Sequence, residues 1–206
     1  MSEVKVFFVE QTDRVSLRLR RYRSADETCP APAGVSFCNA SVPFGEAPAN
    51  RRADGYLGVP LVSAPADDDA RWPTVCEACG HSFDARDPRQ LFQDTIYRNP
   101  QTGAEWPMRE LPVGACYDAW WNGRKGPDGR ALTVICPDKS PWSIDGRANN
   151  CTVPKDDIHR CWCRHGSPEE GTLHVDKVGD TCGAGAGSIQ TSNYHGFLHN
   201  GRFRAC

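Results

Sequence analysis

The feature that most constrains this chain is its store of eleven cysteines, two of which fall in the run Trp72-Pro-Thr-Val-Cys76-Glu-Ala-Cys79-Gly80-His81-Ser-Phe83. Two thiolates separated by two residues can reach one metal from a tight loop, and Gly80 lets the backbone fold under the sulfurs without a Cβ clash. A redox disulfide is the competing use of such a pair, but the thioredoxin-like βαβ context it needs is missing here. Upstream, Cys29 and Cys38 bracket a Pro/Gly loop long enough to bend both thiols toward a common point. Cys76 and Cys79, completed by Cys29 and Cys38, are therefore the expected ligands of one structural zinc.

Composition sets the frame around this staple. At 206 residues the chain is one large or two small domains, and its 19 glycines and 16 prolines ask for abundant turns and few regular helices. A net charge of −2 gives no basic field to recruit nucleic acid or anionic lipid. No window reaches the roughly 18 apolar residues of a membrane span. The opening Met-Ser-Glu-Val-Lys-Val lacks the apolar run of a secretory signal, so reducing surroundings are expected and metal is the first use for the thiols. An odd cysteine count leaves one thiol outside any complete set of internal disulfides, and Cys206 is placed to cross-link to a neighbour.

Taken in order, the chain reads as mainly β: short-stranded, loop-rich antiparallel sheets with one short helix, stapled by zinc. Val4 to Glu10 and Arg14 to Tyr22 are β-rich runs, expected as a hairpin across Gln-Thr-Asp with Val15, Leu17 and Leu19 on one face. Arg18 and Arg20 then point outward and, with Arg21 and Arg23, form a basic cluster read as a solvated strand face. A strand is expected over 37–44 and a short extended piece over 55–62, then a hairpin over 91–97 and 105–108 around Asn99-Pro-Gln-Thr-Gly103, with a helix through 90–97 as the alternative. Pro112 and Asn122-Gly123 mark the start and stop of a short helix. The loop 123–129 is the expected boundary between an N-terminal zinc-knuckle region, 1–122, and a C-terminal Cys/His-rich β region, 123–206. Strands are expected over 131–136, 142–145, 160–164 and 173–176, and Asn200-Gly201 between alternating runs predicts a terminal hairpin of 194–199 with 202–206.

The last quarter concentrates further donors: Cys151, His159, Cys161, Cys163, His165, His174, Cys182, His195 and His199. On an extended strand Cys161 and Cys163 share a face roughly 6–7 Å apart, too far for two ligands of one zinc, so Cys-Trp-Cys is not itself a knuckle. One of them can still join Cys151, Cys182 or a histidine around a second metal. Cys163 and His165 on one strand face also make the outline of a thiol nucleophile with its base. The zinc-deaminase signature is absent, because no histidine is followed two residues later by glutamate. The run Gly183-Ala-Gly-Ala-Gly-Ser188 lacks the lysine of a P-loop and fits a tight backbone crossing better than a phosphate cradle.

Two segments together carry a resemblance: Trp72-Pro-Thr-Val-Cys-Glu-Ala-Cys-Gly80, and His159-Arg-Cys-Trp-Cys-Arg-His-Gly166 followed by Val175-Asp-Lys, Thr181-Cys-Gly-Ala-Gly-Ala-Gly-Ser-Ile189 and Tyr194-His-Gly-Phe-Leu198. This pattern resembles a protein family that recurs among tailed-bacteriophage and prophage gene products. The resemblance implies a phage-associated protein and brings no catalytic residue with it. The favoured reading is a non-enzymatic structural or binding protein, an accessory component of the capsid, neck or tail, found in the virion or the host cytoplasm. Its partners are then other phage structural proteins or copies of itself, with no membrane and no nucleic acid. The alternatives are a small metal- or thiol-dependent hydrolase around Cys163, His165 and His195, and a phage modulator of host nucleic-acid machinery using the knuckle and the arginine cluster.

Overall fold

Short strands and long loops dominate the computed structural model, which describes residues 3–23, 29–30, 38–154, 159–177 and 187–206. In chain order the strands are β1 (Val4–Lys5), β2 (Phe7–Phe8), β3 (Glu10–Tyr22), β4 (Asn39–Pro48), β5 (Arg89–Arg98), β6 (Glu105–Pro107), β7 (Ala115–Asp118) and β8 (Leu132–Ile135). They continue with β9 (Pro141–Ser143), β10 (Cys163–His165), β11 (His174–Asp176), β12 (Ile189–Gln190), β13 (His195–His199) and β14 (Arg202–Ala205). Among the described residues the one helical element is a 3₁₀ turn, Met108–Glu110. The mainly β expectation therefore holds. No helix of the described residues is long and apolar enough to cross a membrane.

The chain divides into two compact units, one of Met1–Gln11, Tyr97–Trp106 and Glu110–Cys206, the other of Thr12–Ile96 and Pro107–Arg109. The divisions fall within β3, β5, β6 and the 3₁₀ turn, and the loop 123–129 lies inside the first unit.

In the first unit three sheets surround one apolar core. Their strand orders are β1-β14-β13-β12, β2-β7-β8-β9 and the pair β10-β11. Val6, Cys116, Leu132, Val134, Ile144, Leu173, Val175, Ile189 and Leu198 are sealed from solvent, and Trp142 meets Trp162 edge to face at 5.1 Å. Each fully buried aliphatic side chain of this kind contributes about 1.5–3 kcal/mol. A buried ion pair crosses the same unit: Arg164 Nε donates to both carboxylate oxygens of Asp145, at 2.9 and 3.1 Å, and its outer nitrogens reach Asp128. Asp145 also accepts from the Leu132 N–H at 2.9 Å. A Cβ on Gly126 would fall on the Arg164 guanidinium, so that loop position requires glycine.

In the second unit β3 pairs antiparallel with β4, from Arg14↔Pro48 to Tyr22↔Asn39, with a register shift between Leu17 and Arg18. β3 also pairs with β5, so the strand order here is β4-β3-β5. Val15, Leu17 and Leu19 are buried, as their period-2 spacing predicts. Val15 and Leu17 pack with Ala47, Phe44, Leu57 and Leu91.

Three local expectations give way to the tertiary structure. Gln11-Thr12-Asp13 is not a turn, because β3 runs straight through it. The tripeptide has no glycine or asparagine to supply positive φ, and the Thr12 hydroxyl instead donates to Ile96 O at 2.7 Å. The N-terminal strands find distant partners, β1 with β14 and β2, in parallel, with β7. The helix expected from Pro112 is strand β7, whose Ala115, Cys116 and Tyr117 are all buried. A run buried on both faces carries no helical or strand period, so end signals alone misled. The segment 55–62 is irregular, tied down by an isolated bridge between Arg51 and Leu57.

Candidate metal centre

The second unit gathers the four thiols of the N-terminal half. Pairing of Tyr22 with Asn39 brings the end of β3 beside the start of β4, and the Arg23 N–H donates to Cys38 O at 2.9 Å. Cys38 is thereby fixed at the mouth of β4. The knuckle is closed by a bridge between Val75 and Ser82, by the Cys76 N–H to His81 O at 2.8 Å, and by the Gly80 N–H to Cys76 O at 2.8 Å. Gly80 takes φ of 72°, the left-handed conformation that this turn needs.

The sulfurs of Cys29, Cys38, Cys76 and Cys79 all lie within 4.8 Å of one another, and Cys38 Sγ and Cys79 Sγ are 3.3 Å apart. A tetrahedral zinc with Zn–S bonds of about 2.3 Å spaces its sulfurs about 3.8 Å apart. Three of the thiols are buried and Cys79 is half-buried, packed with Ala40 and Phe83. This group could hold a metal ion.

The surroundings favour thiolate at one position and thiol at another. Burial pushes Cys76 up, yet backbone N–H groups of Cys79, Ala78 and Asn39 pointing at its sulfur bring it down to about 7. Such N–H···S bonds from the residues after the first cysteine are what a knuckle uses to spread thiolate charge. Cys38 is pushed up to about 12, first by burial and then by hydrogen bonds with Cys79 and Cys29. For Cys79 the His81 N–H and then Cys38 act downward, but burial and the Cys29 and Cys76 thiols act upward and the net shift is upward.

Two arginines belong to this neighbourhood. The Arg23 side chain hydrogen-bonds the Cys38 sulfur and favours its ionised form. Arg21 is not part of a solvated strand face: it continues the buried period of Val15, Leu17 and Leu19 and is 4% exposed. Its guanidinium lies 5.4 Å from the Phe83 ring centroid and donates to Asp84 O. Burial, then the nearby Arg89, lowers its pKa. The signal for this was its odd-numbered parity with Leu19, which the charge obscured. His81 Nε2 lies 3.4 Å from Asp87 Oδ2.

In the first unit Cys151, His159 and Cys161 form a second group that could hold a metal ion, their ligand atoms also within 4.8 Å of one another. Cys163 and His165 do share a face of β10, with buried Arg164 between them. The His165 ring neighbours His174 at 6.5 Å, whereas His195, on β13, hydrogen-bonds Ser188 Oγ at 3.2 Å. His195 and Ser188 line an open cleft of about 920 Å³ with Trp142, Trp162 and Arg147. Cys182 and residues 183–186 lie outside the described residues. Cys206 is an exposed thiol whose backbone N–H donates to His195 O at 3.2 Å.

No protein-family model, curated protein or solved structure matches the chain.

Proposed function

We propose that this chain is a non-enzymatic, phage-associated binding protein whose Thr12–Ile96 unit is held in shape by one zinc on Cys29, Cys38, Cys76 and Cys79. The observation that carries the proposal is the convergence of four largely buried thiols. With four protein sulfurs a zinc has no coordination position left for water or substrate, so such a site builds structure rather than turning over. Binding is supported by the loop after β4, where Tyr56, Val59, Leu61 and Val62 are exposed apolar side chains, Val59 at 78%. Polar side chains anchor that loop: Asn50 Nδ2 donates to Val59 O at 2.9 Å and Gln93 Nε2 to Gly58 O at 2.6 Å. Apolar residues displayed on an anchored loop are a means of contact with another protein. The phage resemblance makes that partner another virion protein or a second copy of this chain.

Quantitative mass spectrometry of native particles is the test, with the chain expected at fixed copy number. Replacing Val59 and Leu61 together by Asp is expected to cut incorporation by about tenfold or more, with circular dichroism and zinc content unchanged. Cys76→Ser is expected to release the metal and cost several of the roughly 10 kcal/mol that a structural zinc supplies. Particles without the chain, or normal incorporation of the double variant, overturn the binding role. Zinc-free protein after purification without chelator overturns the metal.

A further inference from the structure

We infer that Cys151, His159 and Cys161 hold a second zinc, independent of the first, which fastens the long excursion between β9 and β10. The geometry is that of a coordination sphere. Cys151 Sγ lies 3.5 Å and Cys161 Sγ 3.6 Å from His159 Nε2. For Zn–S of about 2.3 Å and Zn–N of about 2.0–2.1 Å at a tetrahedral angle, the sulfur-to-nitrogen separation is about 3.6 Å. Both sulfurs converge on one ring nitrogen, as one ion would require. A soft pair of thiolates with one imidazole selects zinc over the oxygen-seeking magnesium and calcium.

The loop is built to bring the donors together. Cys161 N–H donates to Gly146 O at 3.2 Å, which closes the excursion at its base, and Cys151 N–H donates to Ala148 O at 3.0 Å. Arg147 spans the interior: Nη1 donates to Pro154 O at 3.0 Å and Nη2 reaches both Val153 O and Cys151 Sγ, the latter at 3.1 Å. Cys161 is sealed in the apolar core and Cys151 packs at its edge, so an ion here ties Cys151 and His159 to that core. Two thiolates and a neutral imidazole bring a zinc ion to zero net charge, which a half-buried site tolerates without a counter-ion. Among the described residues this site offers three donors, against four at the four-thiol centre. The adjoining residues Gly146–Asn150 and Trp162 line the cleft that also holds His195.

The test is metal stoichiometry on the full-length protein purified without chelator. Wild type is expected to carry about two zinc ions per chain, and His159→Asn and Cys151→Ser about one each, with far-UV circular dichroism unchanged. Cys76→Ser is also expected to keep about one, because the two sites do not depend on each other. Cobalt substitution supplies a readout apart from folding: two sets of visible bands are expected, one of them shifting in His159→Asn and the other not. One zinc in wild type that disappears entirely in Cys76→Ser overturns the inference. So does a cobalt spectrum indifferent to His159, or intact-protein mass spectrometry that finds Cys151 and Cys161 joined as a disulfide.

Discussion

His174 on β11 and His199 on β13 stack nearly parallel, their ring centroids 4.3 Å apart and their planes 13° from parallel. Two neutral imidazoles stack at no electrostatic cost, but two imidazolium ions at this distance repel. Burial first, and then the charge of His174, hold the His199 pKa below the ordinary histidine value; Arg204 acts the same way and Asp176 opposes them. Since the folded protein resists a proton that the unfolded chain accepts near pH 6.5, this residue's contribution is complete above that pH and is lost as pH falls below it. Melting temperature is expected to drop between pH 7.5 and 5.5, with a shallower drop in His199→Gln. Equal slopes in the two proteins would remove His199 as the source. The buried Arg164–Asp145 pair is a contrast in kind: burial pushes the Asp145 carboxyl up, and the Leu132 N–H and the Arg164 guanidinium act against that shift.

The terminal hairpin was the element most legible in the sequence, and the reason is local. Asn200 and Gly201 adopt φ of 49° and 68°, the type I′ corner that an Asn-Gly pair favours, and β13 pairs with β14 from Gly196↔Ala205 to His199↔Arg202. What the sequence could not reveal is where the tip goes. It docks inside its own unit: Val6 N–H donates to Gly201 O and Gly201 N–H to Leu173 O, both at 2.7 Å, and a Cβ at Gly201 would run into the Gly171 backbone. Gly201→Val therefore combines strained φ with overpacking and is expected to cost about 2–5 kcal/mol in urea denaturation. Wild-type stability in that variant would mean that the tip is not docked. The knuckle was readable for the same local reason, a CxxCG turn that carries its own glycine. Strand β7 was not, since its Ala115-Cys116-Tyr117 run owes its conformation to strands β2 and β8 on either side. Arg21 was missed because a charge was taken to face water, whereas Phe83 and the Asp84 carbonyl receive it.

At the scale of the whole chain the two units are held together internally by different means. The first encloses a continuous apolar core contributed by all three of its sheets and joined by Trp142 and Trp162. Among the described residues the second has a cluster around Val15, Leu17 and Ala47 and a separate one built largely of the four thiols, and it also buries Leu19, Trp72 and Ile96. A zinc bound by the four thiols would add on the order of 10 kcal/mol to this unit. Without an ion, backbone N–H groups bring Cys76 down to about 7 while burial pushes Cys38 up to about 12. Metal removal should thus divide the molecule energetically. Amide hydrogen exchange after chelation is expected to accelerate through 14–22, 39–48 and the 74–83 knuckle, approaching the rate of unfolded chain. The strands β7, β8, β13 and β14 should keep most of their protection, because apolar burial holds them. The excursion from 146 to 161 is expected to loosen as well if it carries its own zinc, without dragging those strands along. Uniform loss across both units would show one cooperative fold in which the metal supports everything. Undiminished protection at 14–22 and 39–48 would show that the apolar clusters suffice and that the four-thiol centre is not what holds the second unit.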